Sequence, residues 1–205
     1  MVDTVFSDSV EPLCYPNTSV FINFLNLTSF KKLRDKEAGF TAIRSIELLQ
    51  NPSLIPQTFD FDHLKAIHSY LFQDLYEWAG RPRSYDVRKN EDEFTPAKYL
   101  PKYEKQVFSR VSDYCNCSQR PPINEAAIKL AACLGIINIY HPFPEGNGRA
   151  QRIFITMLAG VYNYAINWDA TYPWEIIETS KQVHIGSYQP LEKLIGRIIV
   201  DKNKR

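Results

Sequence analysis

The chain carries almost no net charge: 24 Lys and Arg stand against 23 Asp and Glu, giving +1 at pH 7. That balance excludes a protein whose main work is coating nucleic acid or an anionic membrane. No continuous apolar run approaches the roughly 18 residues of a spanning segment. Residues 1–6 hold neither a basic region nor an apolar stretch, so no secretory signal is read and no membrane partner is expected. Cysteine is sparse, with Cys14, Cys115, Cys117 and Cys133. Cys115 and Cys117 are one residue apart, poor spacing for a disulfide or a zinc knuckle. Cys133 lies in an apolar helical run and reads as a small buried hydrophobe. The set suits reduced thiols and a cytoplasmic protein. Repeats, low-complexity segments and linkers are also missing.

What is present is an ordinary stock of core-forming residues: 44% of 205 residues are hydrophobic and 13% aromatic. This fits one domain over 1–205, large enough to bury a core without disulfides or metals. Residues 1–17 read as an irregular arm. Thr28 or Ser29 caps a helix to about Gln50, with Phe30, Leu33, Ala38, Ile43 and Ile46 as its apolar face. Asp60 or Asp62 opens a helix carrying Leu64, Ile67, Leu71, Phe72 and Leu75 at helical spacing. Residues 84–95 are the only credible strand material, a short hairpin turning near Asn90 to Asp92. Thr95-Pro96 starts a helix to about Tyr114. Asn124 caps the next, apolar almost all round to Tyr140, which belongs at the centre of the protein. A helix begins near Gly148, and two short helices near 173–184 and 190–201 finish the chain. The expected fold is all-α with one β-hairpin.

The segment His141-Pro142-Phe143-Pro144-Glu145-Gly146-Asn147-Gly148-Arg149-Ala150-Gln151-Arg152 concentrates the chemistry. A central helix stops at a histidine, a loop with two glycines follows, and a new helix begins. Glycines let backbone N–H groups converge, and a helix N-terminus favours an anion. Arg149 and Arg152 share one face of the first turn and repel each other unless an anion neutralises them. A polyphosphate is the natural anion. Glu145 is a hard oxygen ligand beside it, suited to magnesium bridging to phosphates. His141 is the nearby group that takes a proton near neutral pH. Asn147 can donate to phosphate or orient the loop. Singly, each has a plain structural reading: a capping histidine, a common turn, a solvated arginine pair. Their order and spacing between two helices make the kit for phosphoryl or nucleotidyl transfer.

The segment resembles the signature of Fic domains, His-x-Phe-x-(Asp/Glu)-Gly-Asn-Gly-Arg-x-x-Arg, at every constrained position. Tyr15-Pro16 and the helix through Ala42-Ile43-Arg44 resemble that family's N-terminal region. The stretch Leu71-Phe72-Gln73-Asp74-Leu75-Tyr76-Glu77-Trp78-Ala79-Gly80 resembles its sequence before the hairpin, and Gly186-Ser187-Tyr188-Gln189-Pro190-Leu191 its closing segment. The resemblance implies a helical fold and transfer of AMP from ATP to a Tyr, Ser or Thr hydroxyl of a target protein, with pyrophosphate released. It implies His141 as the base and Glu145 as the Mg²⁺ ligand. Gly146 to Gly148, with Asn147, would hold the α-phosphate, and Arg149 and Arg152 the β- and γ-phosphates. The hairpin near 84–95 would be a flap whose open edge takes an extended target segment, with Arg88 and Lys89 beside the nucleotide.

Many members of that family are inhibited by a helix bearing (Ser/Thr)-x-x-x-Glu-(Gly/Asn). Ser7 to Glu11 is followed by Pro12, and Thr171 to Glu175 by Ile176, so neither completes the pattern. The expected inhibitor is a small separate antitoxin-like protein, and the chain resembles a bacterial toxin or a translocated effector acting in a host cytosol. Two other readings stay open: the same site with another nucleotide donor or an AMP-removing activity, and a non-catalytic phosphate-binding module.

Overall fold

The structure is a computed structural model describing residues 4–6, 13–89 and 92–204. It is a helical bundle with two small antiparallel sheets. Helix α4 (Ile123–Tyr140) is central and packs against α3 (Leu100–Cys115), α5 (Asn147–Gly160), α6 (Pro173–His184) and α7 (Gln189–Ile198). Its 18 residues, with mean hydropathy 1.3, have the length and composition of a membrane-crossing segment. The expectation that nothing approaches that length is corrected here. Half of the helix is buried within the bundle, where Leu130, Ala131 and Ile137 are fully covered by neighbouring helices. The helix starts after Pro122, which places Asn124 inside the first turn and not at the cap.

Helix α2 (Phe61–Phe72) opens as expected, with the Asp60 carboxylate accepting from the His63 amide at 3.0 Å. Helix α1 (Phe30–Gln50) has the expected span, but its buried face is different. Phe30, Ile43 and Ile46 are exposed, and Leu33, Glu37, Thr41 and Leu48 are turned inward against α2 and α5. Arg44 fixes this rotation by gripping both carboxylate oxygens of Asp74, at 2.7 and 3.0 Å.

The hairpin is present as β2 (Val87–Lys89) and β3 (Asp92–Glu93), with its turn outside the described residues. It is not isolated. Strand β1 (Thr4–Phe6), placed in sequence within an irregular arm, pairs antiparallel with β2, Val5 opposite Arg88. A second sheet was not expected: β4 (Tyr164–Ile166) pairs with β5 (Ile199–Asp201), Ala165 opposite Val200. The closing helix therefore ends at Ile198, and the last apolar residues turn into a strand.

Candidate active site

Helix α4 ends because His141 leaves the helical region, with φ +43° and ψ +60°. Left-handed backbone is uncommon for a residue with a Cβ and needs support from its surroundings. Arg83 supplies it. The Arg83 side chain is 4% exposed and donates from Nε to the His141 carbonyl oxygen at 2.8 Å. Its amide donates to the Pro142 carbonyl at 2.8 Å. Its two Nη atoms reach the carbonyls of Tyr85 and Thr95, the two roots of the hairpin, at 2.8 and 2.5 Å. One buried cation thus ties the 141–142 turn to the hairpin.

The imidazole of His141 is stacked on Phe94, with centroids 3.7 Å apart and planes at 20°. Phe94 meets His184 of α6 edge-on at 5.4 Å. The Nδ1 atom of His141 lies 3.3 Å from the Asn138 carbonyl. Donation there makes Nδ1 the protonated nitrogen and leaves the basic lone pair on Nε2.

The following loop is shaped by three buried groups. Phe143 is fully buried and stacks on His68 at 3.9 Å. His68 accepts from the Gly80 amide and donates from Nε2 to the Glu145 carbonyl, both at 2.9 Å. Burial holds its imidazole at about 4, hence neutral, as that donor–acceptor pattern requires. Asn147 is 2% exposed, and its amide closes the loop on Phe143, accepting from N at 3.0 Å and donating to O at 2.8 Å. Gly146 has φ +80°, and a Cβ on it would fall 2.2 Å from the Phe72 ring. Gly148 differs: a Cβ there would meet only an Arg152 nitrogen at 3.7 Å. Packing does not require glycine at 148, yet the residue lines a cavity, as backbone meant to approach a ligand closely does.

That cavity measures about 310 Å³ and brings together His141, Glu145, Gly146, Gly148, Arg149 and Arg152. Its far wall is α6, through Ile176, Ile177, Ser180, Lys181 and His184. Arg149 packs its guanidinium on Phe72 at 4.8 Å and pairs with Glu37 at 2.5 Å, with Glu145 further off at 3.7 Å. Arg152 is half-buried, and its pKa is lowered by burial and then by the neighbouring Arg149 charge. Two cations and a helix N-terminus around one small cavity select an anionic ligand.

Residues 58–159 match the pattern of the Fic/DOC family. The "Probable protein adenylyltransferase y4lH" of Sinorhizobium fredii is 33% identical over 190 residues, which cover 92% of this chain and 96% of that one. The chain belongs to the Fic/DOC family. "Protein adenylyltransferase VbhT" of Bartonella schoenbuchensis is also 33% identical, over 196 residues covering 96% of this chain but 40% of that protein, so this chain spans less than half of VbhT. The fold is that of solved Bartonella effector domains. BepC of Bartonella tribocorum, with bound AMPPNP, superposes with a TM-score of 0.83 at 22% identity over 93% of this chain and 97% of the other. A Bep Fic domain from Bartonella sp. AR 15-3 gives 0.85 at 20% identity, over 97% and 95%.

Not every residue assigned from the resemblance lines the cavity. Asn147 spends its amide on the Phe143 backbone, so its side chain shapes the loop from behind and does not line the cavity. Arg88 projects from β2, two-thirds exposed, and pairs with Glu93 across the hairpin. It does not line the cavity, and the side chain of Lys89 lies outside the described residues. The near-miss to the Fic inhibitory pattern at 171–175 has another use. Glu175 accepts from Thr171 Oγ1 at 2.8 Å and the Tyr172 amide at 2.9 Å, and pairs with Arg197 at 2.9 Å. These bonds, the Tyr172 amide first, hold it at about 2 and tie it to its own helix start. The other near-miss, Ser7 to Glu11, lies outside the described residues.

Glu37, His68, Arg83 and Phe94 were not singled out from sequence, although all four build the site. A signal existed for two of them. Glu37 sits where a helix should be apolar, and His68 lies on the apolar face of α2; polar residues on such faces mark buried hydrogen-bonded sites.

Proposed function

We propose that this chain is a protein adenylyltransferase that moves AMP from ATP to a side-chain hydroxyl of a target protein. The observation that carries this is one cavity onto which His141, the N-terminus of α5, Arg149 and Arg152 all open. His141 Nε2 takes the proton as the hydroxyl oxygen attacks the α-phosphorus. The bond from the α-phosphorus to the β-phosphate oxygen breaks, and pyrophosphate leaves with that oxygen's electron pair. The amides from Gly146 to Gly148 receive the α-phosphate, and Arg149 and Arg152 take the β- and γ-phosphates, where charge accumulates. The nucleoside lies against the apolar wall of α6.

Glu145 is the single carboxylate among the described residues lining the cavity, and no cluster of three metal-ligating side chains occurs among them. This suits a Mg²⁺ held by one carboxylate and the substrate's own phosphates, not a resident protein cage. When bound, Mg²⁺ would neutralise phosphate charge.

The target segment adds to the edge of β3. The β2 edge already carries β1, and the residue after β3 is Phe94, on which His141 stacks. Control comes from a separate small inhibitor protein, because Glu175 is committed to its own helix and, among the described residues, no carboxylate lies within 4 Å of the Arg152 guanidinium. The chain acts in a cytosol, its own or a host's; all four cysteines are free thiols.

The test is label transfer. The purified chain is incubated with Mg²⁺ and ATP labelled on the α-phosphate, in bacterial lysate and in host-cell lysate, beside His141→Ala. A labelled protein band that is absent with the variant is expected. A band that persists in His141→Ala, or one seen only with γ-labelled ATP, would overturn the assignment.

A further inference from the structure

Glu37 is the one carboxylate carried into the site by α1, and it is 8% exposed. Its Oε1 lies 2.5 Å from Arg149 Nη2, and its Oε2 accepts from the hydroxyl of Tyr76, a residue that is itself 2% exposed. The Thr41 hydroxyl bonds the Glu37 carbonyl at 2.7 Å, so the helix turn beneath the carboxylate is also anchored. On its other side Arg149 rests on the Phe72 ring, the ring that forbids a Cβ at Gly146. A buried carboxylate is costly unless fully paired. Here both oxygens are used, and one of them is spent on a cation that lines the cavity.

We propose that Glu37, held by Tyr76, is a positioning residue for Arg149. It sets the direction of the guanidinium and neutralises it before substrate arrives. This rests on the reading of Arg149 as a phosphate clamp. The arrangement has two opposed consequences. A guanidinium pinned between Glu37 and Phe72 presents its remaining N–H groups to the cavity in one orientation, which favours a transition state needing accurate placement. The same carboxylate lies behind the cation and repels the incoming phosphates, weakening ground-state binding. Charge separations of this size at a partly buried site are worth more than the orientation of one hydrogen bond. Ground-state affinity and turnover therefore move in opposite directions when Glu37 loses its charge.

The experiment compares wild type with Glu37→Gln and Tyr76→Phe, titrating each with inorganic pyrophosphate by calorimetry and measuring kcat and KM for ATP in label transfer. Glu37→Gln is expected to bind pyrophosphate about fivefold more tightly, with kcat lowered about tenfold. The affinity gain should vanish when Arg149→Ala is added, because distant or indirect effects would persist. Tyr76→Phe keeps the carboxylate and serves where Glu37→Gln does not fold; it should lower kcat in the same direction. A merely structural Glu37 would weaken both quantities together. Pyrophosphate affinity that is unchanged or weaker in Glu37→Gln, a gain that survives in the Arg149→Ala background, or an unaltered kcat in a folded variant overturns the proposal. A wild-type chain that transfers no AMP sinks the adenylyltransferase reading instead, and the pyrophosphate titration still decides this one.

Discussion

Arg83 donates to the carbonyl oxygen of His141 across 58 residues of sequence, at 2.8 Å. In the function proposed above, the contact links the base to the hairpin that presents the target hydroxyl. The same guanidinium holds the carbonyls of Tyr85 and Thr95, so one side chain ties the loop to the hairpin.

Arg83→Lys keeps the charge but not the fork. An ammonium cannot reach three carbonyls in that plane, and buried acceptors left without donors cost about 1–3 kcal/mol each. Urea unfolding of Arg83→Lys should show a loss of at least about 2 kcal/mol. Label transfer should fall further than binding of a non-hydrolysable ATP analogue. Retained stability would mean that the loop does not depend on this anchor.

The two glycines of the loop should respond in opposite ways. At Gly146 a methyl group meets the Phe72 ring at 2.2 Å on left-handed backbone, so Gly146→Ala should lower Tm strongly. At Gly148 the nearest atom is a flexible arginine nitrogen at 3.7 Å, so Gly148→Ala should melt like wild type and lose nucleotide affinity. Equal melting temperatures for the two variants would contradict this division.

Acid should destabilise the chain through its buried histidines. Burial holds His68 and His63 at about 4 in the folded state, against 6.5 when solvated. The unfolded chain therefore takes up protons that the folded chain refuses as pH drops below 6.5. Stability is full above that value, falls as pH goes from about 6.5 to 4, and flattens below, by at most about 3 kcal/mol per histidine. In thermal melts from pH 8 to 4, His68→Gln should have a shallower slope than wild type in that window and none of the difference above pH 7.

Glu175→Gln should leave the chain's activity where it was. The residue holds Thr171, the Tyr172 amide and Arg197, so the variant should weaken the start of α6 slightly without releasing any inhibition. A marked rise in label transfer would mean that Glu175 does reach the phosphate site.

The signature from His141 to Arg152 is local, and local spacing was enough to read it. A helix stop, two glycines and two arginines at i and i+3 settle which backbone and side-chain groups meet, because turn geometry and helix periodicity operate over a few residues. The long periodic helices were legible for the same reason, and α2 begins at Asp60, one of the two capping residues its sequence offered, with Asp62 inside the first turn. The three-residue strands β1, β4 and β5 were not. Thr4–Phe6 and Ile199–Asp201 are too short for an alternating pattern, and each is a strand only because a partner far along the chain offers its edge.

The rotation of α1 shows the boundary between the two kinds of information most clearly. By composition its apolar face should contain Phe30, Ile43 and Ile46, yet these face solvent, and Glu37 and Thr41 are buried. The sequence by itself determined that a helix runs from residue 30 to 50, that a central apolar helix ends at a histidine, and that a glycine loop and a helix start bearing two arginines follow it. Only the tertiary structure decided that Arg44 locks α1 onto Asp74, that Glu37 thereby meets Arg149, and that Arg83 binds the loop to the hairpin. The physical reason is that a buried charge is placed by its partners. Those partners lie 30, 112 and 58 residues apart in sequence, where no periodicity connects them.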